Sequence, residues 1–269
     1  MTFRIKVGSF FLILFVFSLS GSSLAQSPYK ITFAKESYLI GGGLALSGIK
    51  FLLEDKSDPL RLDQIGELNR TSINRFDRSA TFNYSSNAND ASDILVGVSI
   101  VLPSIFILNG ETQRDWQILS TLYFETVIFA TIIPQIAKKS FERVRPFVYN
   151  SNAPLVDKTT SDARHSFFSG HTTWAFASAV FISTVYDEYF PSSQWTTYIW
   201  GGSLLLAGTI GYLRYEAGYH FPTDIITGAA VGTVIGYVIP AIHKSNQNNV
   251  EVSTSYLKDG GRLTVIYKW

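Results

Sequence analysis

Five apolar stretches occupy most of this chain beyond its first third, and each is long enough to be a helix that must bury its surface in protein or lipid. They run from Ile94 to Asn109, Trp116 to Ala137, Thr172 to Tyr186, Trp195 to Leu213 and Ile225 to Ile242. A helix crosses a bilayer with about 20 apolar residues, within a workable range of about 17–25. The third stretch is short by that measure, and the second contains Glu125. A soluble all-α bundle would also yield apolar helices of these lengths, and the modest mean hydropathy leaves that alternative standing. The pattern predicts an all-α fold, a membrane-embedded helical bundle.

Small residues run through the last two stretches as Gly201-Gly202, Gly208, Gly211, Gly228, Gly232 and Gly236. Such residues let helix backbones approach closely. The four-residue spacing of Gly228 and Gly232 predicts tight packing along one face.

The N-terminus has the pattern of an export signal. Arg4 and Lys6 precede an apolar core from Gly8 to Leu19, and Ser23-Leu24-Ala25 supplies small residues before Gln26. A retained signal anchor is the alternative, and both place Gln26 outside the cytoplasm. The expected organisation is a signal peptide at 1–25, polar and interfacial helices at 26–93, the bundle at 94–243, and a tail at 244–269. Tyr38 to Leu53 is short and carries Gly41-Gly42-Gly43 and Gly48, so it is expected to lie outside the bilayer. In the tail, Leu263, Val265, Tyr267 and Trp269 alternate with Thr264, Ile266 and Lys268 after a Lys258-Asp259-Gly260-Gly261 turn, which predicts a short C-terminal β-hairpin.

Composition narrows the chemistry. A formal net charge of +1 gives no electrostatic case for a nucleic-acid partner. No Cys means no disulfide, thiolate metal site or Cys nucleophile.

Three polar segments interrupt the apolar pattern. Lys138 and Arg145 are seven residues apart, about two helical turns, so both can project from one helix face. Arg145 offers a planar fork for two oxygens and Lys138 a point charge, or the pair with Lys139 and Arg143 is a basic membrane flank. Pro146 is expected to end that helix. Ser169-Gly170-His171 opens the helix from Thr172, and a helix N-terminus with a close-approach Gly suits an anion. Arg214 ends the next apolar helix, and His220 and Asp224 bracket Pro222. Asp224 can accept from one ring nitrogen of His220 and leave the other unprotonated and nucleophilic. His165 reads as a loop residue, His243 as a cation at a helix C-terminus, and Glu125 as an internal hydrogen-bonding group.

In this order the segments KKSFERVRP, FSGH and LRYEAGYHFPTD resemble the signature of the type 2 phosphatidic acid phosphatase and vanadium haloperoxidase superfamily, K-x(6)-R-P, P-S-G-H and S-R-x(5)-H-x(3)-D. Phe168 stands for the usual Pro and Leu213 for the usual Ser. The resemblance covers Trp116 to Ile242 and implies a helical bundle with its site at one end. It implies that His220 is a nucleophile forming a phosphohistidine, that Asp224 orients it, and that His171 protonates the leaving oxygen and then activates water. Lys138, Arg145, Ser169, Gly170 and Arg214 would hold the phosphate, with no metal or cofactor. The missing Ser before Arg214 puts one polar contact in doubt.

The expected function is therefore hydrolysis of a lipid phosphate monoester or pyrophosphate, in the inner membrane with the site facing the periplasm. A soluble periplasmic acid phosphatase, a vanadium haloperoxidase and a non-enzymatic bundle binding lipid headgroups are the alternatives.

Overall fold

A computed structural model describes residues 27–52, 58–245, 250–257 and 260–267. The export signal expected at 1–25 and the Lys258-Asp259 turn lie outside the described residues. In chain order the elements are α1 (Phe33–Leu52), α2 (Leu62–Glu67), α3 (Ser86–Val101), α4 (Gly110–Gln113), α5 (Trp116–Phe141), α6 (Leu155–Lys158), α7 (Gly170–Tyr189), α8 (Thr196–Glu216), α9 (Pro222–His243), and then strands β1 (Val250–Leu257) and β2 (Gly260–Tyr267).

Helix α7 is the centre of the bundle and packs against α3, α5, α8 and α9. Its sequence suits that place, since a helix without a polar face is buried on all sides. Ala175, Ala177, Ala179, Val180, Phe181 and Val185 are buried, and so are the small polar Ser178 and Ser183. The hydroxyl of Ser183 donates back to the Ala179 carbonyl, which satisfies it inside the bundle.

The glycines of α9 set its distance from α7. A Cβ on Gly228 would meet the Ser169 carbonyl at 2.7 Å, and one on Gly232 or Gly236 would overlap the Thr173 or Ala177 carbonyl. Backbone lies against backbone along this seam, so the spacing in the sequence had a packing cause.

Among the described residues, three stretches are long and apolar enough to cross a membrane: Ser86–Phe106, Trp116–Tyr149 and Pro222–His243. They coincide with three of the five expected stretches. Helices α7 and α8 have the length, at 20 and 21 residues. Thr172, Thr173, Ser178 and Ser183 in one, and Gly201, Gly202, Ser203 and Gly208 in the other, dilute their hydropathy. Both pack within the same bundle.

Helix α1 lies against the bundle. Tyr38 to Leu53 was expected to lie outside the bilayer, and through Leu52 it belongs to a 20-residue helix that packs along α5. Lys35 Nζ donates to the Ile242 carbonyl at 2.7 Å, and Gly43 abuts Ile128. Tyr29 bridges Lys244 across an isolated β-pairing, with Lys30 N–H donating to the His243 carbonyl at 2.8 Å. Tyr29 therefore sits beside the C-terminal end of α9, about 33 Å along that helix from its first residue.

The expected fold class also needs one correction: the architecture is helical alone, and the C-terminal hairpin is no part of it. Among the described residues β1 and β2 pair only with each other, from Val250↔Tyr267 to Leu257↔Gly260. A lone two-stranded ribbon is marginal in water and adds no layer to a bundle.

Candidate active site

The three polar segments converge at the end of the bundle where α5 and α8 stop and α7 and α9 begin. Each is placed by a helix terminus.

Lys138 lies in the last turn of α5, which ends at Phe141 with Glu142 in the left-handed region at φ 44°. Arg145 is thus off the helix, in extended backbone at φ −70° and ψ 148°. The shared helix face predicted from the seven-residue spacing does not form. Pro146 disfavours helical backbone in the residue before it, and the chain has already turned at Glu142. Arg145 is buried and fixed by three acceptors: Asp162 O at 2.8 Å, Asp162 Oδ1 at 2.8 Å and Tyr219 O at 3.2 Å. Its guanidinium also lies 4.7 Å from the Tyr219 ring centre.

Ser169 caps α7 and is fully buried. Its hydroxyl accepts from the Thr172 hydroxyl at 2.8 Å and the Thr172 N–H at 3.3 Å, so its own proton is left to donate. Gly170 and His171 follow as the first helical residues, whose N–H groups have no intrahelical acceptor. A Cβ on Gly170 would lie 4.0 Å from Lys138 Nζ, so the ammonium stands over this helix start. His171 is half-buried, and its Nε2 lies 2.7 Å from Asp93 Oδ1 on α3.

Arg214, in the last turn of α8, is buried and aimed by α3. Its Nη1 donates to Asn89 Oδ1 at 2.8 Å and to Ser92 Oγ at 3.0 Å, while its buried Nε has no acceptor. These two residues give Arg214 its polar support from α3. Gly218, at φ 74°, then reverses the chain, and any side chain there would strike the Asn83 carbonyl. That turn delivers His220.

His220 is buried, and Nδ1 donates to the Ser166 carbonyl at 2.7 Å. A carbonyl can only accept, so the proton sits on Nδ1 and Nε2 keeps its lone pair. Asp224 Oδ2 is 3.8 Å from Nδ1, beyond hydrogen-bond reach, so the direct bond predicted from the four-residue spacing is absent. Asp224 instead caps α9, accepting from the Phe221 N–H at 2.8 Å and from Ser166 Oγ at 2.5 Å. Its other oxygen takes Arg143 Nη1 at 2.5 Å.

Burial holds the His220 imidazole well below its ordinary value, and Arg145, Lys138 and Arg214 push the same way. Burial also lowers His171, to about 4, with Arg214 assisting and Asp93 opposing. Arg214 falls to about 10 through burial and the nearness of Arg145. Three basic side chains crowd a neutral imidazole, an arrangement that an anion relieves.

Several residues of this site escaped the sequence reading. Arg143 was counted only as basic flank, yet it ties Asp224 to Asp77, donating to Asp77 Oδ2 at 2.7 Å and to Thr223 Oγ1 at 2.9 Å. Asp93, Asn89, Ser92, Asp162 and Ser166 carry no local motif. His165 ends the turn after Arg164, its N–H donating to the Asp162 carbonyl at 3.0 Å. Glu125 and His243 lie at the far end of the bundle, where His243 Nε2 is 3.2 Å from Glu36 Oε1 and 3.5 Å from Glu125 Oε2. Among the described residues no cluster of three His, Cys, Asp or Glu side chains is arranged to hold a metal.

Residues 119–248 match the family described as the PAP2 superfamily. The chain is 30% identical over 149 residues to lipid A 4'-phosphatase of Porphyromonas gingivalis, covering 54% of this chain and 59% of that protein. It is 31% identical over 164 residues to a Schizosaccharomyces pombe protein named probable diacylglycerol pyrophosphate phosphatase 1, covering 52% and 58%. The chain thus spans only part of either relative. Looser likenesses in three dimensions link it to two crystal structures. One is the first transmembrane PAP2 type phosphatidylglycerolphosphate phosphatase from Bacillus subtilis (TM-score 0.42, 17% identity, 78% of this chain and 96% of that one). The other is Aquifex aeolicus LpxE (TM-score 0.33, 26% identity, 55% and 84%).

Proposed function

We propose that the chain, whose residues 119–248 match the PAP2 superfamily, is a membrane phosphatase that hydrolyses a lipid phosphate monoester or pyrophosphate through a phosphohistidine. The observation that carries this reading is the set of three cations, Lys138, Arg145 and Arg214, acting on a buried neutral His220. Phosphoryl transfer is governed by positioning and by stabilising charge on the equatorial oxygens. Arg145 and Arg214 are preorganised for that task by their fixed acceptors, and the Arg214 Nε has a donor to give. Ser169 and the N–H groups at the start of α7 complete the cradle.

In the first step His220 Nε2 attacks phosphorus and the ester P–O bond breaks. The leaving oxygen takes a proton from His171. In the second step water attacks the phosphohistidine, gives its proton to His171, and the P–N bond breaks to release phosphate. Asp224 acts on His220 through Ser166, whose carbonyl holds Nδ1–H throughout.

Lipid as the substrate class is supported by the names of the two relatives and by the surface around the site. Phe141, Tyr212 and Ile226 are exposed on α5, α8 and α9 within a turn of the site residues. An acyl chain in the bilayer would lie against them while the headgroup phosphate enters the cradle. We infer that the site and the Tyr29–Lys244 pairing face opposite sides of the membrane. A Gln26 outside the cytoplasm then puts the site on the cytoplasmic face, and a periplasmic site requires Tyr29 inside.

Phosphate release by the purified full chain in detergent tests the activity, with a lipid phosphate, a lipid pyrophosphate and 4-nitrophenyl phosphate in parallel. Faster turnover of a lipid substrate is expected, together with a protein that leaves the membrane fraction only with detergent. Detergent-free release and a preference for 4-nitrophenyl phosphate would instead establish the soluble acid phosphatase.

A further inference from the structure

We propose that Asp93 is a positioning residue for the proton-transferring His171, fixing the ring so that Nδ1 is the nitrogen that exchanges a proton with substrate and water. The proposal rests on the phosphatase reading and adds to it a residue from α3, outside the stretch matched by the family.

The geometry is specific. Asp93 Oδ1 lies 2.7 Å from His171 Nε2. A carboxylate accepts, so Nε2 carries the proton of the neutral ring and Nδ1 holds the lone pair. The neutral ring is then the tautomer that can take a proton from water. The imidazolium that must protonate the leaving oxygen is stabilised by the same carboxylate, as an opposite charge within hydrogen-bond distance favours the charged form.

Helix α3 is built for this contact. Asn89, Ser92 and Asp93 are spaced three and four residues apart and share one face. Asn89 and Ser92 grip Arg214, and Asp93 reaches His171 with Arg214 Nη1 at 3.5 Å from the same oxygen. The Ser85 hydroxyl, accepting from the Ala88 N–H at 3.2 Å, fixes where the helix starts. The charged groups acting on His171 are Asp93 from α3, Arg214 from α8 and Lys138 from α5. A bound phosphate dianion offsets the two cations, and Asp93 then decides how readily the ring holds its second proton.

Asp93→Asn in the full chain in detergent tests this, since the isosteric amide keeps the space and removes the charge. On a lipid phosphate, whose alkoxide is a poor leaving group, kcat/KM should fall about tenfold or more. On 4-nitrophenyl phosphate, which needs no acid, it should fall less than about threefold. The basic limb of the kcat–pH profile should move to lower pH by about one unit, and Asp93→Glu should restore part of the lipid rate. A purely structural loss, or a loss acting only through Arg214, would lower both substrates equally and leave the limb in place; that result overturns the proposal. Equal rates in Asp93→Asn and the unaltered protein also overturn it. An unaltered protein that releases phosphate from neither substrate refutes the phosphatase reading itself, an outcome distinct from both.

Discussion

Asp224 holds His220 at one remove: its Oδ2 stands 3.8 Å from Nδ1, while Ser166 binds the carboxylate through its hydroxyl at 2.5 Å and the ring through its carbonyl at 2.7 Å. The relay predicts graded losses. Ser166→Ala keeps the carbonyl but frees it from Asp224, and should lower kcat about tenfold, the effect of one charge-assisted hydrogen bond. Asp224→Ala removes the anchor for Ser166, the α9 cap and the partner of Arg143 together, and should cost considerably more. An unchanged kcat in Ser166→Ala beside a large loss in Asp224→Ala would mean that the carboxylate acts on His220 directly during turnover.

The seam between α7 and α9 predicts an asymmetry among glycines. Gly232→Ala drives a methyl into the Thr173 carbonyl and should destabilise the protein by about 1–3 kcal/mol. Gly208→Ala on α8 meets open space and should leave stability unchanged or slightly raised, because Ala favours helix. Thermal unfolding in detergent compares the two, and a similar fall in Tm would argue against backbone contact at this seam.

Acid should weaken the fold in two ranges. His220 is held well below 6.5, first by burial and then by its cationic neighbours, so the unfolded chain binds that proton more readily. Stability is complete above about 6.5 and is lost as pH falls below it. His171, lowered to about 4, acts in the same direction. Asp77 and Asp162 lie below 3.8: burial alone would raise both, but Thr223 and Arg143 outweigh it at Asp77, and Arg145 and Lys138 at Asp162. Their contribution is present above 3.8 and is lost as pH falls through their folded values. Tm should therefore drop between about pH 7 and pH 5, and His220→Gln should flatten this slope without abolishing it. An unchanged slope would mean that His220 is not held neutral.

The placement of Tyr29 beside Lys244 predicts topology. Tags at Ser27 and after Trp269 should report one side of the membrane, and a tag after Pro154 the other. A Ser27 tag on the same side as Pro154 would contradict the passage of α1 beside α5.

The parts of the site legible in the sequence are those fixed by helix ends. Ser169 and Gly170 at a helix start, Arg214 at a helix stop and Pro222 in a first turn are local signals, and the structure places them where that logic puts them. Spacing failed where a local competitor intervened. Glu142 ended α5 before Arg145, and the capping of α9 claimed the Asp224 carboxylate. The partners Asp93 and Asp77 were not legible, because they meet His171 and Arg143 across 78 and 66 residues of sequence. Only the packing of α3 and of the segment before it brings them to the site. The contact of α1 with α5 was not legible for a related reason: only the packed structure shows that Gly43 serves its approach to Ile128.

Trapping the covalent intermediate tests the central claim most directly. The full chain is mixed with a substrate carrying labelled phosphate, quenched rapidly at alkaline pH, and digested for peptide mapping. The account predicts one labelled peptide containing His220, with label stable to alkali, released by acid, and absent in His220→Ala. Label on another residue, or turnover at the normal rate by His220→Ala, would contradict it.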